Sequence, residues 1–345
     1  MGNLSAMEPA GPAAVLERAG QIADEVLFPA AMAAEAAGQL PAGQLDLLAA
    51  EGFYGMAGPP SAGGLGLDLP AACRVIEVLA GGCLSTAFVW LQHHGAVRAV
   101  LAAAGPDGDR LRRRWLARLC RGEVRAGIAL GGAMPGPPQL RARRDPGGWR
   151  LDGTSAWVTG WGLIDVVHAA ARDDQGNVVT ALLPAQPGPA LSAEPLPMVA
   201  VMPSRTVQLR FDGLFAPGEA VTSVTPHAQW QQRDALGLRP NGSLSLGVAA
   251  RCCALLGRSP LDAELAARRD KLDAAPPAAM PAARAAAAEL AMRAAAGLVA
   301  AAGSRSVLTS GHPQRLAREA LFLLVFGSRP AIKSELVSRL TGARA

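Results

Sequence analysis

Three groups of residues in this chain have types and spacings that could do chemistry. His93 and His94 sit side by side in an apolar stretch that also carries Thr86, Trp90 and Gln92. An imidazole changes charge near neutral pH and is a candidate base for a proton leaving a substrate. Neighbours on a helix point about 100° apart, so at most one of the pair faces inward. Trp157-Val158-Thr159 brings an aromatic face and a hydroxyl onto one short strand, which could pack in the core or contact a cofactor. Gly131 and Gly132 carry backbone amides with no side chain in the way, which could donate to an anion. The five cysteines, Cys73, Cys83, Cys120, Cys252 and Cys253, lie scattered on apolar stretches without C-x-x-C spacing and with few histidines near them. No metal site and no disulfide framework are expected, and the thiols read as small buried apolar groups in a reducing compartment.

The elements that must position these groups follow from periodicity. From Ala13 to about Gly122 apolar residues recur at helical spacing, with Leu45, Leu48 and Ala49 on one face and helices predicted over Ala71–Ala80 and Ser85–Ala104. The glycine cluster from Gly63 to Gly66 follows no strand and lacks G-x-G-x-x-G, so it is not a dinucleotide loop. From Glu123 to about Thr222 short alternating runs replace the helical pattern. Pro146-Gly147-Gly148 makes a hairpin turn there, and Asp152-Gly153 is expected to turn the chain again before Trp157-Val158-Thr159. Beyond Trp230 the pattern is helical once more, with segments at Ser243–Leu256, Leu261–Ala274, Pro281–Ala302, Pro313–Phe326 and Ala331–Leu340. The expected architecture is mainly α with a central β-domain. It comprises an N-terminal helical domain (1–122), a middle β-barrel or sandwich (123–222) and a C-terminal helical bundle (223–345), with a ligand cleft at their junction.

Composition narrows the function classes. Half of the 345 residues are apolar and 18% are charged, which marks a folded globular chain. The net charge of +5 is spread over scattered arginines, with Lys271 and Lys333 the only lysines. Arg112-Arg113-Arg114 sits beside Leu111, Trp115 and Leu116 in a helical pattern and reads as a solvated face, so no nucleic-acid partner is expected. The segment Met1–Pro9 lacks the basic and apolar regions of a secretory signal, and a cytoplasmic location is expected. Ala282–Ala302 is the one near-membrane stretch, but Arg284, Glu289 and Arg293 interrupt it, so it reads as a buried helix and no membrane partner is expected.

Taken together these stretches resemble the acyl-CoA dehydrogenase family. Glu51-Gly52-Phe53 followed by Gly63-Gly64-Leu65-Gly66-Leu67-Asp68 matches its E-G-[FL]-x-G … G-G-x-G-x-D segment, and Trp157-Val158-Thr159 matches its W-[IV]-T strand. Ser204–Leu214 with Ala216-Pro217-Gly218 resembles its s-x-x-v-x-f-d-x-v-x-V-P strand, and Arg318-Glu319-Ala320 falls on its R-D-A. The resemblance implies FAD, with FMN as the alternative, held against Trp157, Val158 and Thr159, with Trp157 on the ring and Thr159 at N5. Gly131 would approach the ring edge, and Arg329 falls on a threonine that touches FAD. It also implies an acyl-thioester or related small-molecule substrate, and a homodimer or homotetramer formed through the C-terminal helices.

The departures from the family are equally specific. Ala129–Pro138 replaces the T-E-P-x-x-G-S-D loop, the helix bearing R-x-x-F-G is shortened, and Gly327 falls where the catalytic glutamate would be. In a subset of the family the base comes from the first helix of the C-terminal domain, where Leu236–Pro240 offers no carboxylate and Asp234 is the nearest. His93 and His94 are therefore the candidate replacement bases. The readings are a flavin-dependent oxidoreductase with an atypical or missing base, a reduced-flavin monooxygenase of the same fold, and a homologue that has lost the flavin.

Overall fold

The computed structural model describes residues 11–41 and 43–342. The N-terminal helices are α1 (Pro12–Gln21), which continues through a π-helical segment (Ile22–Leu27) into α2 (Phe28–Ala37), then α3 (Gln44–Ala50), α4 (Leu69–Gly82), α5 (Leu84–Ala102), α6 (Gly105–Leu111) and α7 (Ala117–Cys120). Asp68 caps α4 by accepting the Ala71 amide at 2.9 Å, and Pro70 pre-sets its first turn. The glycine loop ahead of that cap is a tight structural turn, with no sheet built on it. Helix α5 is apolar on all sides and buried from Leu84 to Val97 apart from Gly95, because α4, the C-terminal helices and the sheet surround it.

The eight strands are β1 (Ala126–Ala129), β2 (Leu140–Asp145), β3 (Gly148–Val158), β4 (Val166–Arg172), β5 (Asn177–Pro184), β6 (Leu191–Pro195), β7 (Val207–Pro217) and β8 (Val221–Pro226). They form one sheet in the order β6-β7-β3-β2-β4-β5-β8, with β1 parallel to β4. Pro146-Gly147 closes the β2–β3 hairpin, pairing Asp145 with Gly148. Asp152-Gly153, by contrast, is not a turn. The strand runs straight through it, with a bulge against β7 that Gly153 permits at φ +121°. Asp152 accepts the Gly213 amide at 2.8 Å across that bulge, so the side chain that signals a turn in sequence ties two strands together.

The C-terminal bundle is α8 (His227–Leu256), α9 (Pro260–Ala274), α10 (Met280–Ala302), α11 (His312–Val325) and α12 (Pro330–Thr341). Helix α8 begins well before the expected Ser243 and carries Pro240 inside it. Helix α10 is long and apolar enough to cross a membrane by composition, yet its alanines from Ala285 to Ala288 pack against the other helices of the bundle. Small side chains let these helices approach closely, as where Gly81 of α4 meets Gly247 of α8.

Candidate functional site

A cleft of about 900 Å³ opens where the three parts of the chain meet. One wall is α5 with Phe88, Leu91 and Gln92, and a second is the sheet with Ile128, Gly131 and Trp157. The third is the C-terminal bundle with Asn241, Phe322 and the turn Phe326–Arg329. The lining is mostly apolar with a few convergent polar groups, the usual composition of a small-molecule site.

Trp157 is the more exposed of the two aromatics, with Phe215, that β3 and β7 leave open. Between Ser155 and Val158 the β3–β7 register slips, and Trp157 takes φ +63°. A left-handed backbone costs a residue with a Cβ on the order of 1 kcal/mol, tolerated only where its surroundings over-determine it. Here they do, because Ser155 and Val158 on either side are fully buried and paired with β7. The result is an indole that is 66% exposed and faces the cleft. Val158 packs into the sheet core instead, and Thr159 is 1% exposed. The Thr159 hydroxyl lies 2.6 Å from that of Thr206, which lies 2.8 Å from that of Ser204. Of these three it is Thr206 that lines the cleft. The hydroxyl assigned to Thr159 from the strand motif is thus one layer back, and sequence inspection missed Thr206 because it lies 47 residues away.

The amides of the Gly131-Gly132 loop are spent on the protein itself. Gly131 lines the cleft, but its amide donates to Ser155 Oγ at 3.1 Å, and the Gly132 amide donates to the Ala170 carbonyl at 2.8 Å. Neither is free for an anion. These positions are glycine for space, since a Cβ at Gly131 would collide with the Thr154 carbonyl and one at Gly132 with the backbone of Ala171 and Arg172. Arg172 at the end of β4 supplies what the loop's own side chains lack. It donates to the carbonyls of Gly132 (2.8 Å), Met134 (2.7 Å) and Gly136 (3.0 Å). His227 Nε2 lies 2.9 Å from the Ala133 carbonyl and 2.8 Å from Arg172. Nothing local in the sequence marks either residue.

The histidine pair does not reach the cleft. His93 Nε2 lies 3.1 Å from the Leu119 carbonyl and donates to it, while Nδ1 accepts the Ala126 amide at 3.1 Å. That pattern demands the neutral ring, and burial lowers its pKa to about 3. His94 is buried against the Trp90 indole at 4.7 Å, and burial followed by the His93 and Arg98 charges holds its pKa well below the ordinary value. Both rings stay neutral near pH 7, but so depressed a pKa makes a weak base, and neither ring lines the cleft.

On the third wall Gly327 turns the chain at φ +60°. Arg329 grips Asp234 in a bidentate pair at 2.7 and 2.9 Å and donates to the Gly327 carbonyl at 3.2 Å, so it ties α8 to the turn and its charge is already answered. Asp234 is the one carboxylate lining the cleft among the described residues, and both of its oxygens are engaged. Beneath the turn, fully buried Arg284 donates to Ser245 Oγ at 2.9 Å and to the Phe326 carbonyl at 3.3 Å, its pKa lowered by burial to about 10. Glu319 pairs with buried Arg315 at 2.5 Å, away from the cleft, as part of the bundle core. The five cysteines are free and buried, and no metal-ligand cluster occurs among the described residues.

Residues 12–123 match the family model described as "Acyl-CoA dehydrogenase, N-terminal domain". The human mitochondrial short-chain specific acyl-CoA dehydrogenase is 25% identical over 215 residues, covering 60% of this chain and 52% of that protein. The benzylmalonyl-CoA dehydrogenase of Aromatoleum aromaticum is 27% identical over 218 residues, covering 59% and 55%. A glutaryl-CoA dehydrogenase from Mycobacterium smegmatis, solved in complex with FADH2, superposes with a TM-score of 0.80 at 18% identity over 97% of this chain and 95% of that one. The match to that model is confined to residues 12–123, and the whole chain has the acyl-CoA dehydrogenase fold. The matched segments span about half the length of the curated relatives. In this acyl-CoA dehydrogenase frame the helical domains enclose a sheet whose one exposed, strained aromatic, Trp157, faces the shared cleft.

Proposed function

We propose that this chain is an FAD-dependent oxidoreductase acting on a small acyl thioester or a related small molecule, with no carboxylate in the usual position of the base. The observation that carries the reading is Trp157, a large aromatic held in a strained backbone with its face open to a cleft of about 900 Å³. A soluble fold exposes so large an apolar face next to apolar walls where something planar covers it. FAD fits this wall: Trp157 would support the ring system and Thr206, backed by Thr159 and Ser204, would meet its polar edge. When bound, the flavin would supply two-electron redox chemistry. The FADH2 complex of the Mycobacterium smegmatis protein and the thioester names of the relatives support the same reading.

The remaining steps depend on the chain's own residues. Phe88, Leu91, Phe322 and Phe326 exclude water from the inner cleft. Desaturation of a thioester requires a group that takes the α-proton, a contribution of about 10²- to 10⁴-fold in rate. Gly327 stands where the resemblance places the family's glutamate, Asp234 is bound to Arg329, and the histidines are buried behind α5. Dehydrogenation by the wild type is therefore slow. A second reading, a reduced-flavin monooxygenase, is favoured by that same shortage of a free carboxylate. Exposed Leu321, Val325, Val337 and Leu340 on α11 and α12 support self-association through the bundle under either reading.

Titration with FAD followed by absorption, then assay of acyl-CoA thioesters with an artificial electron acceptor, tests the proposal. The expected outcome is a bound, perturbed flavin with slow turnover that Gly327→Glu raises. That substitution loses on the order of 1–2 kcal/mol of stability, because its Cβ would stand 3.1 Å from Asn241 Nδ2 at a positive φ. Failure to bind FAD overturns the proposal. Turnover that requires oxygen and reduced flavin selects the monooxygenase.

A further inference from the structure

Three charged side chains line the cleft, and two of them neutralise each other. Asp234 and Arg329 form the bidentate pair already described, and Arg98 of α5 is left. Arg98 makes no hydrogen bond or ion pair to any described residue. It lies one turn beyond His94 on α5, and Ile128 of β1 packs against this part of the helix at Gly95. The ionisable groups coupled to its charge are buried Cys73, buried His94 and half-buried His168, and both histidines are held neutral. The His168 ring is further occupied by Thr222 Oγ1 at 2.9 Å. Nothing among the lining residues answers the guanidinium.

A guanidinium that is open to a cleft and has no partner among the described residues is free to meet an anion carried by a ligand. Arg98 reaches the cleft, but the protein around it strips away bulk water, and that loss lowers its pKa. A guanidinium so placed offers a planar fork of donors that matches a carboxylate or a similar oxyanion. Phe88 and Leu91 on the same helix and Ile128 on the adjoining sheet supply apolar contact for the carbons between that anion and the reacting end of a ligand.

We propose that Arg98 is a specificity-determining residue that receives a second anionic group on the substrate, so that the substrate is an acyl thioester with a carboxylate or similar oxyanion at its far end. This rests on the reading of the cleft as an acyl-thioester site. It goes beyond that reading by selecting which thioesters bind. The relatives named for benzylmalonyl-CoA and glutaryl-CoA act on thioesters of this kind, and here the anion would be met by a residue of this chain's own cleft.

The test compares two matched probes, glutaryl-CoA and pentanoyl-CoA, whose acyl chains have the same number of carbons and differ in the terminal carboxylate. Dissociation constants are measured by calorimetry on the flavin-free protein and by perturbation of the flavin spectrum after FAD is added. The wild type is expected to favour glutaryl-CoA by about 10- to 100-fold, as one desolvated charge-assisted contact supplies. Arg98→Met is expected to erase that preference while leaving pentanoyl-CoA binding within about twofold, and Arg98→Lys to retain part of it. Equal affinities in the wild type, or an undiminished preference in Arg98→Met, would overturn the assignment. So would a change in flavin affinity or spectrum in Arg98→Met with discrimination intact, because Arg98 would then serve the flavin. Because calorimetry needs no flavin, a chain that fails to bind FAD yet keeps an Arg98-dependent preference refutes the redox reading alone.

Discussion

Trp157 and His93 are both chemistry-bearing residues in the sequence, and the structure treats them in opposite ways. Around His93 every polar valence is spent. One ring nitrogen donates to the Leu119 carbonyl, the other accepts the Ala126 amide, and Tyr54 closes the ring edge-on at 4.7 Å. Around Trp157 the backbone is strained and the side chain is left in the open. The first arrangement stabilises the joint between α5, α7 and β1. The second costs stability, and a fold retains it where a ligand restores the loss. Saturation by internal partners thus separates scaffold from site in this molecule. By that criterion Gly131, Thr159 and Arg329 belong with His93 more than with Trp157, and Arg98 stands with Trp157.

The contrast can be broken most directly at His93. His93→Ala strands a carbonyl and an amide in the interior and leaves a cavity, so a loss of about 3–5 kcal/mol in unfolding free energy is expected by denaturant titration. Any flavin that the surviving folded protein binds should keep its spectrum. A stable His93→Ala protein whose flavin chemistry has changed would move His93 back into the site.

A second, smaller effect is read against pH. Burial, followed by the Arg98 charge, lowers His168 to about 4 from an unfolded value near 6.5. A lowered pKa means that the folded state resists protonation. The stability from neutral His168 is complete above about pH 6.5 and falls as the pH drops toward 4, by at most about 3 kcal/mol. In His168→Gln, whose amide can still meet Thr222, the loss between pH 6.5 and 4 should become shallower in thermal melts across a pH series. An unchanged acid limb would show that His168 titrates normally and that the strands around it yield to charge.

The smallest change in stability, and the sharpest test of the contrast, comes at Trp157 itself. Trp157→Gly relieves the positive φ and deletes a mostly exposed side chain, so stability should rise by about 0.5–1 kcal/mol or stay level. Flavin affinity should fall by about tenfold or more as the aromatic contact is lost. A destabilised variant with normal flavin binding would mean that the indole is packing and not platform.

Much of this was legible in the chain before any coordinates. The helical, strand-like and helical periodicities, the Pro146-Gly147 hairpin and the strand that carries Trp157 all rest on interactions within a few residues. Local sequence determines such features because turn chemistry, capping and side-chain periodicity act over one or two turns of chain. Asp152-Gly153 shows the limit even at that range. The pair has the chemistry of a turn, but β7 supplied a partner on the other side and the strand continued as a bulge.

What only the tertiary structure decided is which polar groups remain free. The amide of Gly131 is taken by Ser155, the hydroxyl of Thr159 by Thr206, and the charge of Arg329 by Asp234, 95 residues earlier in the chain. Arg172 orders the loop through carbonyls 36 to 40 residues away. The physical reason is that a hydrogen bond or ion pair is saturated by whatever the fold brings within about 3 Å. That neighbour is set by the packing of helices on a sheet, and no window of sequence contains it. Composition and spacing named the residues able to do chemistry, and long-range packing left Trp157 and Arg98 open to the cleft.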